Sequence, residues 1–296
     1  MFSALKTSCL KPNSVLSSLC ISNAQRSFTT TLKSLQDKGP KVEPPQDKDS
    51  SGFISQLLYG SKPGTESGAQ DATGFKRFAR DKYDHELIVH KVKPGYMDEY
   101  VELVTKLYPK IANDHYPRVK LTGSWSTIVG DVDSAVHIWE YQGYNEMQEF
   151  WAHKKANPEL KKAEQEIAKL LVSRNTQLIQ EFSFCPTSPP IVTNGIYELR
   201  TYTLKPGNLL SWQEKWFDSI SKRATLSRLK GAWYSKEGVL NQVHHIWAYE
   251  SLLERKNSRK SAWADKSWAK SANDRMPLTD HMDSIILEPM SFSPLH

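Results

Sequence analysis

Several short motifs occur twice in this sequence, in the same order, and this repeat restricts the fold more than any other feature. Glu86-Leu87 precedes a Lys-Pro-Gly at 93–95, and Glu198-Leu199 precedes the same tripeptide at 205–207, an offset of 112. Further along, a pentapeptide at 137–141 (His-Ile-Trp-Glu-Tyr) recurs as His-Ile-Trp-Ala-Tyr, offset by 108. Solenoid repeats have periods of about 20–50 residues, so this pattern indicates two copies of a whole domain.

Each copy has the hydrophobic pattern of a β-α-β-β-α-β unit. Alternation of apolar and polar residues predicts strands, and apolar residues at spacings of three and four predict helices. Gly-Asp or Glu-Gly pairs mark the hairpin turns. Asn145 is the expected N-cap of the first copy's second helix, which restarts after a break at Asn157-Pro158. The predicted strands are 86–93, 120–129, 135–142, 176–184, 196–204, a hairpin over 230–249, and 284–292; the predicted helices are 97–111, 145–156, 159–172, 208–224 and two within 251–275.

This order predicts an α+β fold of two tandem ferredoxin-like (βαββαβ) units. Each antiparallel sheet carries helices on one face only, so the other face must be covered. We expect the units to pack sheet to sheet as a pseudo-dimeric α-β barrel. The predicted organisation is a mitochondrial presequence at 1–28, a linker with a short amphipathic segment at 29–82, a first repeat at 83–185, a Pro-rich linker at 186–194 and a second repeat at 195–296.

The N-terminal segment has the composition of a mitochondrial presequence. Residues 1–36 are rich in Ser and Thr and hold four of the 39 basic residues and no acidic ones, which leaves 35 basic against 33 acidic residues elsewhere. That balance argues against nucleic acid as a partner. No apolar run approaches the roughly 20 residues of a transmembrane helix. Cys185 would remain alone after cleavage, as suits a reducing matrix.

A period of two along the strands places polar and aromatic side chains together. Glu198, Arg200 and Tyr202 share one face of their strand. On the hairpin strands, His245 shares a face with Trp247, and His137 shares a face with Trp139. If this face looks into the barrel, these seven residues line a pocket between the two sheets. Glu198 with Arg200 is either a clamp for a carboxylate or phosphate or a buried ion pair that fixes the interface.

The sequence offers no pattern for a metal site or for catalysis. His244 and His245 are neighbours on a strand and therefore point to opposite faces, and zinc needs about four convergent ligands. The histidines are interpreted as structural, and no metal or cofactor is predicted. There is no Gly-rich phosphate loop and no Ser/His/Asp order, so no catalytic residues and no enzymatic activity are predicted. The basic run from Arg255 to Lys270 is interpreted as a solvated helix face.

The segment Tyr197–Gly207, with His244–Tyr249 and the terminal Ser293-Pro294-Leu295, resembles the signature of the NipSnap family. The resemblance implies two tandem dimeric α-β barrel-like domains behind a mitochondrial leader. It implies a matrix protein that collects at the surface of depolarised mitochondria and recruits autophagy receptors and ubiquitin-like autophagy modifiers as a mitophagy signal. Homo- or hetero-oligomers with family members are also expected. It supplies no established catalytic residues.

Two functions remain open at this point. The first is the mitochondrial adaptor that the resemblance implies. The second is a matrix protein that binds a small molecule, or acts as a monooxygenase-like barrel, through the pocket between the sheets. Autophagy modifiers bind an aromatic residue followed three places later by Leu, Ile or Val, and several such pairs occur here, but most fall within predicted helices or strands. Those pairs are Tyr100–Leu103, Tyr116–Val119, Trp125–Ile128, Phe217–Ile220 and Tyr249–Leu252.

Overall fold

The computed structural model describes residues 83–114, 119–220 and 228–296. The predicted presequence and the whole linker at 29–82, with its amphipathic segment, lie outside the described residues. The first repeat contains β1 (Asp84–Val92), α1 (Met97–Asp114), β2 (Val119–Val129), β3 (Ser134–Tyr141), α2 (Tyr144–Ala156), α3 (Pro158–Lys169) and β4 (Leu171–Glu181). The second contains β5 (Ile196–Leu204), α4 (Leu209–Ile220), β6 (Leu229–Glu237), β7 (Gln242–Tyr249), α5 (Leu252–Ala264), α6 (Lys266–Arg275), a 3₁₀ turn (Met276–Leu278) and β8 (Thr279–Pro289).

The eight strands form one closed barrel in the order β1-β3-β2-β8-β5-β7-β6-β4. Each repeat contributes four neighbouring antiparallel strands in ferredoxin-like order. The two sheets join through hydrogen bonds between edge strands, β2 with β8 and β4 with β6. Each join is short and covers residues 125–129 with 286–289 and residues 178–181 with 233–237. The expected fold class, two tandem βαββαβ units forming a pseudo-dimeric barrel, is confirmed.

An apolar cluster to which all eight strands contribute side chains fills the barrel interior. Trp125 and Trp233 are its largest members, and both are fully buried. Leu295 of the C-terminal tail enters the same cluster, and its segment forms a parallel bridge with Ile191 of the linker. The other strand residues of the cluster are Leu87, Val136, Ile138, Ile179, Tyr197, Leu199, Ile246, Ala248 and Leu287. The barrel is therefore a packed core.

The opposite face of each sheet packs against the helices of its own repeat. In the first repeat, Trp139 and Tyr141 pack with side chains of α1 and α2. In the second, Trp247 and Tyr249 pack with Trp212 and Trp216 of α4. Glu198, Arg200 and His245 lie on the same side of their strands as Trp247, so they face the helices. The expectation of a pocket between the sheets is therefore wrong: this face looks outward, because the Leu199 and Ile246 face fills the barrel.

Most predicted boundaries agree with the structure to within a few residues, with informative exceptions. The helix α2 begins after Gly143, which has a φ of 104° and no side-chain cap, so Asn145 is not its N-cap. Asn157 does cap α3, since its side chain accepts from the backbone N–H of Glu159 and Leu160. Strands β4 and β8 each begin five residues before the predicted start. Among the described helices, none is long and apolar enough to cross a membrane.

Candidate ligand pocket in the second repeat

A cavity lies between the outer face of β5 and β7 and the helices α4, α5 and α6, and we call it the arginine pocket. Its volume is about 70 Å³. A cavity needs at least about 10–15 Å³ to admit one water, so this pocket has room for a small ligand group. Strand residues Glu198, Arg200 and Tyr202 form its floor, and α5 contributes Arg259.

Glu198 is the centre of an unusual charge cluster. Its side chain is fully buried, and its Oε1 accepts hydrogen bonds from Arg200 Nη1 at 3.0 Å and Arg255 Nη2 at 2.6 Å. Ser284 of β8 donates to the same oxygen at 2.7 Å. Arg259 Nη1 lies 3.6 Å from it, an ion-pair distance without a hydrogen bond. Three guanidinium groups therefore surround one carboxylate.

The charges of this cluster do not balance, and the pKa values reflect it. Burial alone would raise the pKa of Glu198, but the hydrogen bond from Arg255 and the charge of Arg200 lower it from 4.5 to about 2. The pKa of Arg259 is lowered, first by burial and then by the charge of Arg200. Three positive groups against one negative group leave an excess of two positive charges. A partly closed space with this excess attracts anions.

Aromatic rings form the walls of the arginine pocket. The His245 ring lies between those of Tyr202 and Trp216, with centroids 5.3 and 5.2 Å away and nearly parallel planes. Trp247 Nε1 donates to His245 Nδ1 at 2.6 Å. Arg275 of α6 is held by hydrogen bonds to two serines and lies over Trp212 and Trp268. Flat apolar surfaces therefore adjoin the charged floor.

The first repeat keeps the glutamate but not the arginines. Glu86 occupies the position of Glu198, opposite Trp139 in the register as Glu198 is opposite Trp247. Its Oε2 accepts a hydrogen bond from Tyr141 at 2.7 Å, Trp151 also hydrogen-bonds to its side chain, and burial raises its pKa. At the offsets of the repeat, the equivalents of Arg200, Arg255 and Arg259 are Ile88, Met147 and Trp151, and all three pack in the apolar cluster. The fold therefore buries this glutamate without any arginine.

His137 and Trp139 lie in the first repeat, away from the arginine pocket. His137 is fully buried, with Nε2 2.7 Å from Tyr100 Oη and Nδ1 2.8 Å from Ser124 Oγ. The same Tyr100 hydroxyl lies 2.8 Å from His90 Nδ1. Of the seven residues expected to share a pocket, the structure brings together Glu198, Arg200, Tyr202, His245 and Trp247, and separates the other two.

The adjacent histidines of β7 diverge as their positions on the strand predict. His244 lies on the other face from His245, with Nδ1 3.0 Å from Thr201 Oγ1 and Nε2 2.8 Å from Gln177 Oε1. Burial lowers its pKa to about 4. Across residues 83–114, 119–220 and 228–296, no three His, Cys, Asp or Glu side chains converge to hold a metal ion.

The sequence interpretation missed the two arginines of α5 that approach Glu198, one of which, Arg259, lines the pocket. Arg255 and Arg259 belong to the run that was read as a solvated face, yet both point inward to Glu198. Their spacing of four residues places them on one side of the helix, whereas Lys256 and Lys260 are exposed. An acidic residue predicted to lie on the helix-facing side of β5 is the signal that could have identified them.

The barrel and the helices on its outer faces define the class of the protein, a tandem α-β barrel of two ferredoxin-like units. A proposed monooxygenase from Fusobacterium nucleatum has this fold, with a TM-score of 0.56, 13% identity, and coverage of 71% of this chain and 93% of that one. An anthrone oxidase-like protein gives a TM-score of 0.55 at 9% identity, over 72% and 94%. At these identities the likeness shows the fold alone.

The chain belongs to the NIPSNAP family. The family model matches it twice, over residues 85–186 and 197–294, once in each repeat. It is 38% identical over 207 residues to NipSnap homolog 1 of Danio rerio (70% of this chain, 74% of the relative) and 36% identical over 213 residues to NipSnap homolog 2 of Homo sapiens (71% and 74%). It is 32% identical over 283 residues to NipSnap of Drosophila melanogaster, covering 92% and 94%. The resemblance noted in the sequence is confirmed.

Proposed function

We propose that this protein binds a small organic anion in the arginine pocket of its second repeat. The observation that carries the proposal is the convergence of Arg200, Arg255 and Arg259 on the single buried carboxylate of Glu198. Guanidinium groups pair with carboxylate and phosphate through two parallel hydrogen bonds. A bound anion would balance the excess positive charge of the three arginines. The proposal is one of binding and includes no chemical reaction.

The alternative is a purely structural ion cluster, and the first repeat argues against it. There, Glu86 is buried with hydrogen bonds from Tyr141 and Trp151, and no arginine is needed to hold it. Collecting three guanidinium groups around one carboxylate costs desolvation and mutual repulsion. Only the second repeat bears this cost, which supports a role beyond holding the fold.

The test is a thermal unfolding screen of the full chain against small carboxylates and phosphates. A ligand that binds only the folded state raises the unfolding midpoint as its concentration exceeds its Kd. We expect such shifts for the wild type and for Lys260→Leu, which removes one exposed charge from the same helix. They should be absent for Arg259→Leu. Equal shifts in all three proteins would refute anion binding in the pocket.

The second candidate function is the mitochondrial adaptor that recruits autophagy receptors. An exposed apolar pair at the start of α5 favours a partner surface, since Leu252 and Leu253 are 52% and 66% exposed. The short aromatic motifs are less suitable, because Tyr100, Trp125 and Tyr249 are buried. In this hypothesis the acid-free N-terminal segment directs the protein to the mitochondrial matrix, and failed import leaves it on the surface.

Protease protection on isolated mitochondria tests the adaptor hypothesis. The tagged protein should be protected in polarised mitochondria, and after depolarisation it should become accessible and co-purify with autophagy receptors. Substituting Leu252 and Leu253 by Asp should abolish this co-purification, whereas Val192→Asp, at another exposed apolar position, should preserve it. A protein that stays protected and captures no receptor would exclude this role.

A further inference from the structure

The polar atoms of the arginine pocket define a more specific ligand than an anion, and we infer that it is a small aromatic carboxylic acid bearing a hydroxyl group. This inference rests on the proposed binding function and adds the ligand class. Three features support it: a guanidinium group that is not saturated by Glu198, buried polar atoms without partners, and aromatic walls around a small volume.

The carboxylate group of the ligand is assigned to Arg259 of α5, which lines the pocket. Its Nη1 lies 3.6 Å from Glu198 Oε1, too far for a hydrogen bond. Arg255, which is not a lining residue, donates to Glu198 through Nη2 and holds that carboxylate in place. A guanidinium carries five N–H donors in a rigid plane that matches the two oxygens of a carboxylate. Arg259 therefore retains donors for a second carboxylate beside Glu198.

The hydroxyl group is assigned to Glu198. The hydrogen bonds from Arg200, Arg255 and Ser284 all go to Oε1. Its other oxygen, Oε2, is buried and has no hydrogen-bond partner within the part of the chain that the structure describes. An ionised carboxylate oxygen accepts and cannot donate, so its partner must carry an N–H or O–H. A ligand hydroxyl meets this requirement and removes the cost of leaving a buried oxygen unpaired.

A second unpartnered group supports a polar ligand. Trp212 lines the pocket, and its Nε1 is buried without a hydrogen-bond partner among the described residues. An indole N–H can only donate, so it complements a carboxylate or hydroxyl oxygen. The described residues that line the pocket thus include one unpaired hydrogen-bond acceptor, Glu198 Oε2, and one unpaired donor, Trp212 Nε1. A ligand that both donates and accepts hydrogen bonds complements the two. An acid with a hydroxyl group does both.

The ring is assigned to the aromatic walls, and the volume limits its size. Trp216, Tyr202 and His245 present stacked rings, and Trp263, which is half exposed, also lines the cavity. Offset stacking on such rings favours a planar ligand. A volume of about 70 Å³ encloses no more than about one small ring, and haem, flavin and nucleotides are too large to be enclosed by it.

The first repeat predicts the stoichiometry. At the equivalent place, Tyr100, Tyr108 and His137 are buried and packed against one another, and the arginines are replaced by apolar side chains. The equivalent place in the first repeat therefore offers neither the three arginines nor their excess of positive charge. One ligand should bind per chain.

Isothermal titration calorimetry on the full chain tests the inference, with the three hydroxybenzoate isomers as probes. We expect one isomer at least to bind with one site per chain. Benzoate lacks the hydroxyl and phenol lacks the carboxylate, and each should bind about tenfold more weakly or worse. The variant Arg259→Leu should lose binding by a similar factor, whereas Lys260→Leu should bind like the wild type. Thermal unfolding of both variants verifies that they are folded.

The remaining outcomes separate this inference from the broader proposal. If benzoate binds as tightly as every hydroxybenzoate, the hydroxyl assignment to Glu198 is wrong. If inorganic phosphate or acetate binds in an Arg259-dependent way and no hydroxybenzoate does, the ligand class is wrong while anion binding stands. If none of these anions binds to the wild type, both the ligand class and the anion-binding function are refuted.

Discussion

Glu86 and Glu198 occupy the same position in β1 and β5, opposite equivalent tryptophans, yet their pKa values move in opposite directions. Burial raises the pKa of Glu86, whereas the hydrogen bond from Arg255 and the charge of Arg200 overcome burial and lower that of Glu198 to about 2. In the first repeat a tyrosine hydroxyl bonds to the glutamate, whereas in the second repeat arginines bond to it. This difference is open to direct measurement.

Glu198→Gln should destabilise the protein far more than Glu86→Gln. Lowering the Glu198 pKa from 4.5 to about 2 corresponds to about 3 kcal/mol of stability at neutral pH. This value is at the low end of the cost of removing one partner from a buried ion pair. Glu86→Gln keeps an oxygen for the Tyr141 hydroxyl, and about 1 kcal/mol or less should be lost. Urea unfolding at pH 7, followed by tryptophan fluorescence, measures both. Equal losses would contradict the difference between the repeats.

Gly231 is required because of the tryptophan two residues later. A Cβ at this position would lie 2.2 Å from the ring of Trp233, which is fully buried in the barrel and cannot move away. Gly231→Ala should therefore cost about 2–3 kcal/mol through overpacking. Gly207→Ala is the control: its φ of +84° costs about 1 kcal/mol, but nothing lies within 4 Å of the added Cβ. A smaller loss at Gly231 than at Gly207 would show that the ring can shift.

The local patterns of the sequence predicted the order of elements but not which side of the sheet carries the pocket. Period two places Glu198 and Leu199 on opposite faces of β5, yet both side chains are buried. Burial on both faces arises because one face meets the barrel core and the other meets the helices. Hydrophobicity along one strand cannot distinguish these two environments.

Long-range pairing explains the boundaries that the sequence misplaced. Strand β4 begins at Leu171, although residues 172–176 are exposed and carry no apolar alternation. They are extended because they pair with β1 as far as Val92. The same applies to β8, whose pairing with β5 reaches Thr279. The first residues of β4 and β8 are set by pairing with strand residues more than 70 positions away in sequence. Local β-propensity carries no information about such pairing.

Buried neutral histidines should make the protein sensitive to mild acid. Burial lowers the pKa of His90 and of His244 from 6.5 to about 4, and it lowers that of His137 well below 6.5. Between pH 6.5 and pH 4 the unfolded chain takes up protons that the folded chain does not, so stability falls as pH falls. Each histidine contributes up to about 1.4 kcal/mol per pH unit within this window, and nothing above it.

Unfolding in urea at a series of pH values between 7.5 and 5 measures this linkage. Replacing His244 by Gln, which can still bond to Thr201 or Gln177, should reduce the slope by about 1.4 kcal/mol per pH unit. A slope in the His244 variant equal to that of the wild type would mean that this imidazole is protonated in the folded state.

Leu295 should contribute to the stability of both repeats, although it is the penultimate residue. Its side chain is fully buried in a barrel cluster built by both repeats, and the tail around it is hydrogen-bonded to the first repeat and to the linker. Ser124 N–H donates to Ser293 Oγ at 3.0 Å, and His296 N–H donates to Ile191 O at 2.9 Å. Leu295→Ala should cost about 3 kcal/mol, as for other buried leucines, whereas Leu253→Ala at an exposed position should change stability by about 0.5 kcal/mol or less. Because the repeats share this core, the urea transition of Leu295→Ala should shift as a whole and remain a single step. Two separated transitions would show that the repeats unfold independently and that the tail stabilises only one of them.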